Sequence, residues 1–231
     1  MKIIITENQY TLLKEMEDKP KVYNFPSLDI FGNENPIDNW NLMQKFLAKK
    51  GNPDFTIDGD LDLSKTPIES LGNLTSVGGY LFLTQTPIKS LGKLTSVGGN
   101  LFLYDTQIES LGNLTSVGDS LSLGGTPIKS LGNLTTIGGD LDLRYTPIES
   151  LGNLTSVENY LDLSNSSIKS LGNLTSVGVM SLGNTPIESL GNVTRIDGDL
   201  DLTNTPISQK YTRKQLRKQI DIKGKIYLWK S

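Results

Sequence analysis

Apolar residues in this chain return at a fixed interval of 20 residues. Six columns start at Leu61, Leu63, Ile68, Leu71, Leu74 and Val77 and recur through eight copies down to Ile207. A period of this length predicts a solenoid, in which each turn buries its apolar groups only by stacking on its neighbours. The Leu61-x-Leu63 pair has period two, so both side chains point inward and the residues around them point out, as in a short strand. Gly-Gly before the pair and Thr-Pro after it are turn residues: glycine accepts positive φ, and proline fixes φ without donating a hydrogen bond. The Gly72-Asn73 step and its copies predict another corner. No stretch within a period has room for a full helix, so the convex side reads as irregular or as short 3₁₀ turns. Stacked turns form a parallel sheet with strands about 4.8 Å apart. At about 1.5–3 kcal/mol for each large buried aliphatic, the columns hold together a fold that one repeat could not.

The phrase Leu83-x-x-Thr86-x-Ile88 resembles the signature of leucine-rich repeats, and the resemblance covers about two-thirds of the chain. The string Leu-x-x-Val-Gly-Gly-x-Leu-x-Leu is similar to the receptor L-domain variant. Membership implies a right-handed, mainly β repeat solenoid with one parallel sheet. Thr66, Thr86, Thr106, Thr126, Thr146, Ser166, Thr185 and Thr205 stand where the family has Asn, so a hydroxyl ladder is expected to satisfy the turn backbone. The seventh turn is one residue short (Val177 to Leu182), and Glu158-Asn159 replaces Gly-Gly in another. Both predict local adjustment where the chain enters the strand, without a break in the solenoid. Glu69, Lys89, Glu109, Lys129, Glu149, Lys169 and Glu188 alternate in sign along one outward column. Stacked charges of alternating sign contribute about 0.2–1 kcal/mol each and set register and solubility.

The ends have a different texture, and a solenoid must cover its open cross-sections. Three segments follow: an α+β N-terminal cap over 1–54, the solenoid over 55–207 and a basic α/β C-terminal cap over 208–231. The first cap reads as an Ile3-Ile4-Ile5 strand, a helix opening at Thr6–Leu13, and a second helix over Pro36–Lys49. The apolar face of that second helix is Trp40, Leu42, Met43, Phe46 and Leu47. Thr212 predicts the N-cap of a short helix with Leu216 and Ile220 inward, before a closing strand Ile226–Trp229. The Ile-Ile-Ile-Thr-Glu-Asn opening and the Val-Gly-Gly phrase also resemble leucine-rich-repeat proteins of tailed phages and related bacterial genomes. Charge is uneven: residues 61–207 carry 7 basic and 14 acidic groups, and the last 24 carry 8 basic groups against Asp221 alone. Cys and His are both absent, which removes disulfides, thiolate nucleophiles, the usual zinc sites and histidine acid–base chemistry. No apolar run has the form of a secretion signal or a membrane span, so a cytoplasmic protein is expected (host cytoplasm if viral).

Function is sought at positions that vary between copies beside the strand leucines. Tyr80, Phe82, Phe102 and Tyr104 predict an exposed aromatic patch on the sheet face. The small residues Ser120, Ser122, Gly124 and Gly125 predict a shallow dent beside it. Asp140, Asp142, Arg144, Tyr145, Tyr160 and Asp162 form a polar cluster beyond. The expected function is non-enzymatic protein binding on this face, with aromatics as anchors and the Asp/Arg cluster fixing orientation. Carbohydrate binding is the alternative, with rings stacked on sugars and Asp140 and Asp142 accepting hydroxyl bonds. Self-assembly is the third reading, as a homodimer through the aromatic patch or the charged caps. The repeated Asn-Leu-Thr reads as a corner, not a glycosylation site. The Asp58–Asp62 and Asp197–Asp201 runs lack a calcium loop's spacing, so no metal or other cofactor is expected. The basic tail reads as a solvated cap and not a nucleic-acid site.

Overall fold

The computed structural model describes residues 22–228. The expected Ile3–Ile5 strand, the Thr6–Leu13 helix and Trp229 lie outside the described residues. Each turn contributes two short strands to one parallel sheet, where the sequence predicted only the Leu-x-Leu strand. One ladder stacks the valine column, pairing Val77 with Val97 and Val97 with Val117. The other stacks the leucine column, pairing Leu81 with Leu101 and Leu101 with Leu121. The six apolar columns are buried throughout and form one continuous core. Amides in the valine ladder donate back to the preceding turn (Gly98 to Val77 O, 2.8 Å), and those in the leucine ladder donate forward (Leu81 to Asn100 O, 2.9 Å). The chain therefore reverses its hydrogen-bonding direction between the ladders.

The Gly-Gly step sits at this reversal, but not for the reason given above. Gly78, Gly98, Gly118 and Gly138 do not adopt positive φ. Their role is close approach: a Cβ on Gly118 would lie 2.1 Å from the Gly98 carbonyl oxygen. Where Glu158 replaces the first glycine, the two ladders fuse into single strands, Ser156–Asp162 and Ser176–Ser181. Their pairing shifts register between Val157 and Tyr160, and this irregularity absorbs the residue missing from the seventh turn. The expected local adjustment thus takes the form of a longer strand.

Two corners carry left-handed backbone. One is the Gly72 column, at φ of 58–62° from Gly72 to Gly191, as the Gly-Asn phrase predicted. The other, not foreseen, is Lys65, Gln85, Asp105, Gly125, Tyr145, Asn165, Asn184 and Asn204, just before the threonine column. Each threonine donates its hydroxyl to the carbonyl three residues back, as Thr126 does to Leu123 O at 2.7 Å. Asn113 and Asn192 donate their side-chain amides to the Gly92 and Gly172 carbonyls one turn back, and so lock the corner in these two copies. Ser166 breaks the threonine pattern: its buried hydroxyl has no partner among the described residues. Ser166→Thr restores the β-branch that restricts χ1 and should stabilise by about 0.5–1 kcal/mol. A higher urea midpoint is the expected readout; a lower one would mean the added methyl does not fit. In the alternating column, Lys129 meets Glu109 and Lys169 meets Glu149, each at 2.8 Å, so the pairs are discrete. The Lys129 hydrogen bond holds the Glu109 carboxyl below its ordinary range.

At the N-terminal end, strand Val22–Phe25 pairs with Asp54–Ile57, which pairs onward with Leu74–Val77. Helix α1 spans Pro36–Lys49, the bounds read from the sequence, and the structure adds Asn35 as its N-cap, with proline in the first turn. Its Trp40, Met43 and Leu47 are buried, while Leu42 and Phe46 are partly buried against the core. At the other end come α2 (Pro206–Lys210) and α3 (Arg213–Gln219). Thr212 and Gln215 close a capping box on α3, and Leu216 and Ile220 are buried. Strands Asp221–Ile222 and Ile226–Tyr227 then extend both ladders by one more rung. Arg213 and Arg217 spend their guanidinium groups on the carbonyls of Ile226, Ile222 and Gly224.

Candidate functional site

The leucine ladder presents an outward face of three columns. Of the residues singled out by sequence, Tyr80, Phe82 and Phe102 come together. The rings of Phe82 and Phe102 stack in parallel, 4.8 Å between centroids and 11° between planes. Tyr80 packs edge-on against Phe82 at 6.1 Å. Tyr104 shares the face but makes no ring contact with the stack among the described residues. Tyr80 and Tyr104 remain 41% and 45% exposed, and both phenylalanines are half-buried. The stack is first a cross-strand pair that stabilises two rungs. Its outer surface is also an aromatic strip on a face made mostly of polar side chains.

The polar cluster is a bonded network. Asp142 takes the Arg144 guanidinium with both oxygens, at 2.9 Å from Nε and 2.8 Å from a terminal nitrogen. Asp162 lies 3.6 Å from the same Nε. The buried Asp162 carboxylate accepts the Tyr160 hydroxyl at 3.1 Å and both the amide and hydroxyl of Ser164. Burial first, then the Asp162 charge, raises the Tyr160 pKa, and the bonded Asp142 raises that of Arg144. Asp140 is turned to another task. Its carboxylate accepts the Tyr160 amide across the turn at 3.0 Å, replacing the carbonyl that the change of ladder direction leaves out of reach. Asp60, Asn100, Ser120 and Asp199 do the same for Tyr80, Ser120, Asp140 and Lys225. Ser120 is therefore a structural acceptor and not the bare floor of a dent. Asp62, Asp142, Asp162 and Asp201 each also accept the amide two residues on. Tyr145 stands apart from the network at a left-handed corner, 67% exposed.

A second feature of the face escaped the sequence reading. A cleft of about 320 Å³ opens between Tyr160 and Tyr227, floored by Val179, Met180 and Ser181 and edged by Asp199, Asp201 and Thr203. The rungs run Asp162, Ser181, Asp201 and Tyr227 in one column. It lies over the seventh turn, whose outward Val179 and Ser181 are smaller than the tyrosines on either side. The signal was present: Ile226-Tyr227-Leu228 continues the leucine-ladder phrase, and so places Tyr227 one rung beyond Asp201.

Among the described residues, no group of three acidic side chains is arranged to hold a metal ion. The Asp58–Asp62 run shows why: Asp58 accepts from Asn24, Asp60 from the Tyr80 amide and Asp62 from the Ser64 amide. No helix among the described residues is long and apolar enough to cross a membrane. No protein-family model and no curated protein matches the chain.

Proposed function

We propose that this chain is a leucine-rich-repeat protein, related to those of tailed phages and bacteria, and that it works as a non-enzymatic protein-binding module in the cytoplasm. The Phe82–Phe102 stack with its exposed tyrosine flanks carries this reading. A rigid sheet spares the entropy of ordering a loop, and a central aromatic strip rimmed by polar groups supplies anchors of the type that dominate interfaces. Asp142 and Arg144 lock one another in place and would orient the partner at the rim. The carbohydrate reading is weaker, because the carboxylates it needs at Asp140 and Asp142 already hold an amide and a guanidinium. Self-association through the strip remains the competing use of the same surface.

The test is a host-lysate pull-down with the wild type and with Phe82→Ser/Phe102→Ser, both checked by thermal unfolding and sedimentation. The expected result is a captured protein that falls at least tenfold with the folded double variant, the effect of losing roughly 1.4 kcal/mol or more at a hot spot. Equal capture by both proteins would remove the strip from the interface. Conversion of a wild-type dimer to a monomer by the substitutions would assign the strip to self-association.

A further inference from the structure

We infer that the cleft between Tyr160 and Tyr227 is a separate site for a cationic side chain, lysine or arginine, of a bound polypeptide. It stands independently of the aromatic strip, and would hold for a partner that never touches Phe82.

The argument rests on which hydrogen-bonding groups the cleft has left to offer. Carboxylates only accept, so the direction of every bond to them is fixed. Tyr160 donates its hydroxyl to Asp162, Tyr227 donates to Asp199 at 3.2 Å, and Thr203 donates to Asp201. The cleft's side-chain donors on both walls, at the Thr203 edge and on the floor, where the Ser181 hydroxyl bonds to the Tyr160 oxygen, are thus committed within the protein. Asp201 Oδ2, by contrast, has no partner among the described residues, and neither Asp199 nor Asp201 forms an ion pair there. Lys225 gives Asp199 its backbone amide only. What faces the open volume is a set of acceptors and two tyrosine rings.

A sugar hydroxyl both donates and accepts, and a cleft of this kind meets half of its needs. An ammonium or guanidinium group donates only, and it matches the carboxylates by charge and the ring faces by their quadrupole. The size fits as well. Tyr160 and Tyr227 lie three rungs apart, about 14 Å at strand spacing, which leaves room for one extended side chain between them. The half-buried Val179 and the buried Met180 on the floor offer an apolar surface to its methylene stem.

The probe is amidated tetralysine, titrated by calorimetry at low salt, with maltotetraose and tetraglutamate in parallel. Saturable binding of tetralysine is expected, weakening as salt rises. Asp201→Asn keeps the acceptor for Thr203 but removes the charge, and should weaken binding by about tenfold. Glu188→Gln removes an equal charge from an exposed position on the Glu/Lys column and should leave affinity unchanged. Tyr227→Phe keeps the wall and releases Asp199, so affinity should hold or rise; it also guards against a folding defect in the first variant. Phe82→Ser/Phe102→Ser should bind tetralysine like the wild type, so failure of the strip and failure of the cleft read out separately. Equal losses in Asp201→Asn and Glu188→Gln would mean diffuse attraction and overturn the site. So would preference for maltotetraose, or no saturable binding.

Discussion

Gly118→Ala should cost this protein about 3 kcal/mol of stability although it adds a single methyl group, the upper range for overpacking. The new Cβ would lie 2.1 Å from the Gly98 carbonyl oxygen, and its three nearest atoms are all Gly98 backbone, with no flexible side chain among them to move aside. Relief would require separating two turns, and these are held by Gly118 N to Val97 O at 2.9 Å and by the flanking columns. The midpoint of thermal unfolding should fall by roughly 6–12 °C. Gly112→Ala is the informative comparison. It has open space around its Cβ position but a φ of 60°, so its cost should stay near the 1 kcal/mol of a left-handed residue. Equal losses at the two sites would show that backbone conformation, and not contact between turns, governs these glycines.

Leu141→Ala is expected to cost about 3 kcal/mol as well, through a cavity. Leu141 is fully buried, and its strand pairs with Leu121 on one side and Leu161 on the other. Rungs fixed on both sides cannot close over the void, so relaxation recovers little of the loss. Each turn touches only its neighbours, so weakening this central contact also weakens the coupling between the two halves. The chemical unfolding curve should broaden, with a lower apparent m-value, as the halves melt apart. A cost below about 1 kcal/mol with an unchanged slope would mean that the turns slide together along the axis and heal the gap.

The period and the burial of its apolar columns were legible because they depend only on which residues recur. Helix α1 was legible to its ends because Pro36 and Gly51-Asn52-Pro53 are local signals, although its Asn35 cap went unread. The Thr212 cap was legible for the same reason. What escaped depends on contacts between turns. Gly-Gly carries the same letters whether it serves positive φ or close approach, and the choice is made by a carbonyl 20 residues away in the chain. The second strand of each turn was hidden because Ser76-Val77 has no alternation of its own. The second left-handed corner did carry a signal in Asp105, Gly125, Asn165, Asn184 and Asn204, residue types that tolerate positive φ, but Lys65, Gln85 and Tyr145 in the same column masked it. At the candidate site, the outward direction of Phe82 and Phe102 followed from strand periodicity. The engagements of Asp140 and Asp142 did not, because their partners are one an amide in the next turn and the other a side chain two residues away.

The bond that Asp140 accepts from the Tyr160 amide, with its equivalents at Asp60, Asn100, Ser120 and Asp199, ties the lettering of five turns to the turn that follows. Such a surface cannot be rewritten one position at a time. Replacing Asp140 to suit a new partner strands an amide next door, and the cost lands on a residue that was never altered. Exchange of whole blocks of adjacent turns carries donor and acceptor together and leaves only the block borders to be reconciled. Recombination between repeats is therefore a gentler route to new specificity in this scaffold than point substitution, and a library built by shuffling turn pairs should retain more folded members than one built by randomising single face positions.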